Sequence, residues 1–150
     1  MSHNINHYTL YIRFQKERNE YYVGQTVDID NRNKQFHEAK IYAGTTINES
    51  REKDRLTNGI VDPSKWETFI IFQGYCTKYE IDVREKRAIH IMYELCGETN
   101  LLNNKKDFPN NKNDRIVNES IPTFFNQSPM LKNAFLSSPN LLINIVQHYM

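Results

Sequence analysis

The chain has 150 residues, 39% of them apolar and 25% charged, and 19 basic against 18 acidic side chains leave a formal net charge of +1. Those values suit one ordinary domain with a real core, and they exclude a wholly disordered chain or one that coats nucleic acid by bulk charge alone, though a local basic groove stays open. No apolar run approaches the roughly 18 residues that span a bilayer, the leading MSHNINHYTL lacks the pattern of a secretory signal, and a cytoplasmic protein without membrane contact is expected.

Residues 7–14, HYTLYIRF, alternate Tyr8, Leu10 and Ile12 against His7, Thr9 and Tyr11, which predicts a strand. QKERNE reads as a polar turn, and Tyr21, Tyr22 and Val23 as a second short strand stopped by Gly24, the two forming a hairpin. Thr26 or Asp28 can cap a helix over about 29–40. Its apolar stripe is thin, Ile29, Phe36 and Ala39, and Arg32 falls on the same face. An arginine there is either snorkelling or placed for a purpose. Residues 45–65 are polar, with a short helix at 49–56 at most. Trp66, Phe69, Ile70, Ile71 and Phe72 predict a buried strand over 67–73, ended by Gly74. Cys76 and Cys96 match no zinc or redox spacing and are expected as reduced thiols. His3 and His7 have helical metal-ligand spacing but fall where a tail runs into a strand, and are expected to be solvated.

From about 80 to 96, Ile81, Ala88, Ile89, Met92, Tyr93 and Cys96 have the spacing of an amphipathic helix. Glu85 lies in that register, four residues after Ile81 and four before Ile89. A buried carboxylate is costly unless it is partnered or bound to a cation, and periodicity alone leaves both explanations open. Asparagine makes up 18 of the 150 residues, and the polar stretch 100–114, with Pro109 inside it, reads as a surface loop. Ser128-Pro129 and Ser138-Pro139 are helix-start signals. Leu142, Ile145, Val146 and Tyr149 then give one apolar face. The expected organisation is a core over 1–106 and, over 107–150, an Asn-rich loop with a helical appendage. From residue 121 onward that tail has one basic residue, Lys132, and no acid. It is expected to serve assembly, as a homodimer surface, or to fold back on the core.

Set in order, these features are TLY at 9–11, YVG at 22–24, Arg32, Glu85 and an Asn close behind the long helix. They sit on a strand, turn, strand, helix, strand, helix skeleton that resembles the GIY-YIG nuclease family. Tyr11 and Tyr22 stand eleven apart and Arg32 follows Tyr22 by ten. EKRAI at 85–89 is similar to the family's glutamate segment, and NLLN at 100–103 to the motif carrying its terminal Asn. The resemblance covers roughly 7–106.

It implies an α+β fold, a small three-stranded antiparallel sheet flanked by helices. It also implies divalent-metal-dependent hydrolysis of DNA phosphodiester bonds, of restriction, homing or repair type. Such a protein would work in the cytoplasm or nucleoid, or in the nucleus of a eukaryotic or virus-infected host. The catalytic set carried over is Tyr11, Tyr22, Arg32 and Glu85. Glu85 would hold Mg²⁺ or Mn²⁺, Arg32 would contact the phosphate, and a tyrosine would position or deprotonate the attacking water. Lys34 would add positive field, and Asn103, with Asn100 as the other choice, would anchor the loop or the substrate. By their charge, Arg84, Lys86 and Arg87 beside Glu85, with Lys105, Lys106 and Lys112 just beyond, either contact DNA phosphates or form an ordinary solvated face. Two positions depart from the pattern. Thr9 stands where the first motif has Gly. Phe36 stands where many members carry His or Tyr, with His37 one step on and so turned by about 100°. The alternative is a catalytically lapsed module of this fold that binds nucleic acid or a protein partner.

Overall fold

The computed structural model of the chain describes residues 4–37, 65–108 and 139–149. Strand β1, Ile5–Gln15, turns through Lys16–Asn19 into β2, Glu20–Thr26. Asn19 takes a left-handed φ of 52°, which Asn tolerates because its short amide bonds locally. Helix α1, Ile29–His37, follows. Asp28 is its cap, since the Asp28 carboxylate accepts from the Asn31 N–H at 3.0 Å, while Thr26 accepts from the N–H of Asp28. The expected continuation of α1 to residue 40, and the short helix at 49–56, lie outside the described residues.

Strand β3, Trp66–Thr77, pairs antiparallel with β1 and makes the order β2-β1-β3. It does not stop at Gly74: Gly74 pairs with Tyr8, and pairing continues to Ile5–Thr77 because β1 itself begins early. Nor is it buried throughout. It is an edge strand with an irregularity between Leu10 and Tyr11, and Ile70 beside that irregularity is 45% exposed. Helix α2, Lys78–Cys96, starts two residues before the expected position. Thr77 and Glu80 form a capping box there, which satisfies orphan N–H groups at its start. Helix α3, Pro139–Tyr149, begins at the second Ser-Pro signal. The first, Ser128-Pro129, is outside the described residues.

The fold is the expected α+β arrangement of a three-stranded antiparallel sheet with helices. Alternation along β1 divides the molecule into two layers. Tyr8, Leu10, Ile12 and Phe14 join Tyr21 and Val23 on one face, against Ile81, Ala88, Met92 and Leu95 of α2 and Ile143 and Val146 of α3. Each fully buried aliphatic side chain there contributes roughly 1.5–3 kcal/mol. The opposite face of β1 is buried too, although alternation marks it as the polar side of the strand. Thr9, Tyr11, Arg13 and Gln15 are all buried. A smaller apolar cluster of Phe36, Trp66 and Leu102, with Tyr22 against it, closes this second face, and Phe36 meets Trp66 edge to face at 5.2 Å. Cys76 and Cys96 are buried free thiols.

Candidate active site

Tyr11 sits in the middle of the central strand, directly opposite Gly24 of β2. Its phenol crosses β2 at that point: a Cβ on Gly24 would lie 2.5 Å from the Tyr11 hydroxyl. The glycine of YVG is therefore required by the tyrosine of TLY, which packs where a side chain would be. Tyr22 pairs with Arg13 and so lies on the same sheet face as Tyr11. It is half-buried against Phe36, Trp66 and Leu102.

Arg32 is half-buried on α1, and its charge reaches Tyr11 together with those of Arg13 and Glu85. Burial raises the Tyr11 phenol above its ordinary value; Arg13 and then Arg32 oppose that rise, and Glu85 adds to it. The residues that converge on Tyr11 thus come from β1, α1 and α2. Lys34 is exposed on α1, and His37 is its last residue.

Glu85 is half-buried on α2. Desolvation raises its carboxyl above the ordinary range, a hydrogen bond from Gln25 and the charge of Lys78 pull it back, and Asp82 and Asp107 push it further up. Gln25, the residue after Gly24, also donates to Asp82 at 2.7 Å and accepts from Lys78 at 3.1 Å. Lys78 and Asp82 pair at 2.9 Å. Glu85 lines a cleft of about 370 Å³ shared with Asp82, Lys86, His90, Lys106 and Asp107. Of the basic residues expected around the site, Lys86 and Lys106 stand in this cleft, and Lys112 lies outside the described residues. The Arg84 guanidinium lies 4.1 Å from the centre of the Phe72 ring, on β3. Arg87 is half-buried on α2, and Lys105 opens the short 3-10 turn Lys105–Asp107.

Asn103 is buried, and its side chain makes two hydrogen bonds of 2.9 Å with Val23, accepting from its N–H and donating to its carbonyl. Asn100 donates to the Asn19 carbonyl at 2.8 Å, and its own carbonyl accepts from the Tyr21 N–H at 2.7 Å. With a parallel bridge between Tyr21 and Leu101, residues 100–103 run beside β2 and complete it. The stretch expected as surface loop thus begins as a fourth, short partner of the sheet.

Arg13 and Gln25 were not among the expected site residues. Arg13 carried a signal: two residues after Tyr11 in a strand, it must share Tyr11's face. Gln25 did not, because its partners sit on a helix more than fifty residues away in sequence.

Among the described residues no group of three or more His, Cys, Asp or Glu side chains forms a ready cage for a metal ion. Glu85 offers one carboxylate, near which Asp82 and Asp107 add negative charge, Asp82 being itself paired with Lys78 and hydrogen-bonded to Gln25. Oxygen donors in small number suit a hard divalent ion that keeps most of its waters, so the residues present fit such a cation.

On this three-stranded sheet the Tyr11 phenol lies in the field of Arg32 and of Glu85. The sequence profile of the GIY-YIG catalytic domain matches residues 7–90, more than half of the chain, and the protein belongs to that family of nucleases. No curated protein and no solved structure matches it significantly. No helix among the described residues is long and apolar enough to cross a membrane.

Proposed function

We propose that the protein is a divalent-metal-dependent DNA endonuclease, with Tyr11, Tyr22, Arg32 and Glu85 as its working residues. The observation that carries this reading is the environment of Tyr11, a buried phenol under the joint field of arginines on β1 and α1 and of a carboxylate on α2. Glu85 would hold the cation, Mg²⁺ or Mn²⁺, with Asp82 and Asp107 adding negative field. A cation bound there supplies charge stabilisation to the phosphate and to the leaving 3′ oxygen.

The remaining work falls to the chain's own groups. Arg32 offers a planar fork of donors to non-bridging phosphate oxygens, where charge grows in the transition state. Tyr11 would position or deprotonate the attacking water; burial raises its phenol, and the charges of Arg13 and Arg32 oppose that rise. Tyr22, half-buried on the same sheet face, borders the site. Asn103 holds β2 in register from behind, and Asn100 ties the hairpin turn to the same segment. Lys34, Lys86 and Lys106 would meet neighbouring phosphates, making binding salt-dependent, and Arg84, Arg87, Lys105 and His37 belong to this proposal on sequence grounds. A homodimer through the tail would use the outer side of α3, where Leu141 is exposed, since Ile143 and Val146 are committed to the core.

One observation favours the second reading, a lapsed module that binds nucleic acid or protein. Phe36 is buried against Trp66 and supplies no polar group. Supercoiled plasmid with Mg²⁺ separates the two. Nicked or linear product that disappears on chelation is expected; binding without cleavage of any DNA would establish the module, and cutting in excess chelator would overturn the metal dependence.

A further inference from the structure

Arg13 is fully buried, 0% exposed, in the centre of the sheet. Burying a guanidinium is expensive, and an apolar residue of similar volume commonly holds a core at least as well. The fold nevertheless gives this one several partners. Its Nη1 donates to Asn33 Oδ1 at 2.9 Å and to Thr68 Oγ1 at 2.8 Å. The guanidinium lies 4.7 Å from the centre of the Tyr11 ring and 4.2 Å from that of Phe36, within the range of attraction between a cation and an aromatic face.

The placement of these partners is informative. Tyr11 is two residues back on the same strand. Asn33 is the residue after Arg32 and Phe36 is one helical turn beyond it, so both contacts on α1 lie within the turn that follows the arginine proposed to bind phosphate. Thr68 is on β3, paired with Arg13 itself. One planar side chain thus touches the strand of the phenol, the helix of the arginine and the third strand. Phe36 also acquires a reason: it caps the guanidinium, a task for an aromatic face.

We infer that Arg13 is a positioning residue, a buried staple that fixes Tyr11 and Arg32 relative to each other through Tyr11, Asn33, Phe36 and Thr68. The inference rests on the nuclease reading for its consequence in turnover, but its structural core does not. Lysine cannot replace it fully, because an ammonium has no planar face to lie against the Tyr11 and Phe36 rings while its N–H groups reach Asn33 and Thr68.

The test uses the full chain. Arg13→Met, Arg13→Lys and the double variant Asn33→Ala/Thr68→Val are compared with wild type in Mg²⁺-dependent plasmid nicking and in thermal melting. In parallel, ¹³Cζ-labelled tyrosine NMR follows Tyr11, whose resonance is assigned with Tyr11→Phe. Arg13→Met is expected to lower kcat about 100-fold with KM within about twofold, the size of effect a misplacement near 1 Å produces. Arg13→Lys should recover about tenfold of that loss. The Tyr11 resonance should shift in Arg13→Met while the other tyrosines stay. Folded Arg13→Met with wild-type kcat and an unmoved Tyr11 signal overturns the staple. If Arg13→Met does not fold, the double variant decides: a kcat loss of about tenfold at constant KM supports the staple, and unchanged kcat overturns it. Should the wild type cut no DNA, the nuclease reading fails by itself; a Tyr11 signal that responds to Arg13→Met sustains the staple, and one that ignores it overturns that as well.

Discussion

At Glu85, proposed to hold the cation, function and stability would make opposite demands. Burial and the neighbouring Asp82 and Asp107 raise its carboxyl, so the metal-free folded chain holds a proton there more tightly than the unfolded chain. The stability this group contributes is full below the unfolded carboxylate value, near 4.3, and is lost as pH rises through the higher folded value. At neutral pH, therefore, the charge of Glu85 works against the fold. Glu85→Gln removes that charge and keeps the shape. In chelator at pH 7 its Tm should equal or exceed that of wild type, and the gap should close as pH falls below about 4. Nicking activity should fall on the order of 10³-fold, the several kcal/mol that a cation supplies to a phosphoryl transition state. A variant that melts lower at pH 7 and cuts normally would make Glu85 a structural partner.

At the scale of elements, the segment 100–103 carries the clearest consequence. Asn103 satisfies both backbone groups of Val23, the central residue of YVG, with one side-chain amide. Asn103→Ala leaves a buried donor and a buried acceptor without that partner, at about 1–3 kcal/mol each. A Tm drop measured by calorimetry, together with faster amide exchange at Val23, is the expected outcome; unchanged exchange there would show the amide dispensable. The sequence made this element partly legible. The hairpin, α1 and α2 follow from alternation, caps and 3.6-residue spacing, all of which act within a few residues. The lengths of β2 and β3 do not: β2 runs past Gly24 to Thr26 as β3 runs past Gly74, because a glycine is a stop signal only until a partner strand pairs past it. Arg32 and Glu85 were readable as polar residues in apolar registers. Arg13 hid in plain alternation, since a charge on the second face of a strand is ordinarily solvent-facing and only the packing of α1 and Trp66 buries it. Gln25 was illegible in principle, because its meaning lies in Asp82 and Glu85, side chains on another element.

For the whole molecule the question is what the C-terminal tail does. Its last helix lays Ile143 and Val146 into the main core beside β3 and α2, so its inner face is satisfied within one chain, leaving Leu141 on the outside. Two buried aliphatics at roughly 1.5–3 kcal/mol each are a large part of the 5–15 kcal/mol that separates a folded domain from an unfolded one. Removing residues 139–150 should therefore lower the Tm by several degrees or more, and by the same amount at every protein concentration, because helix α3 packs within its own chain. If α3 instead owed its burial to a partner, the wild-type Tm would itself rise with concentration, as mass action requires. Melting over a hundredfold dilution series, with sedimentation on the same samples, separates the two. The site has little stake in this choice, since α3 packs on the face of the sheet opposite to Tyr11, Arg13 and Phe36, and Glu85, although on the helix α3 packs against, lines a cleft with residues of α2 and 106–108. The truncated chain, held at a temperature where it is still folded, should keep the wild-type kcat. A truncation that keeps its Tm but loses turnover would place the tail in substrate grip, and would move the functional surface across the sheet from where the tyrosines put it.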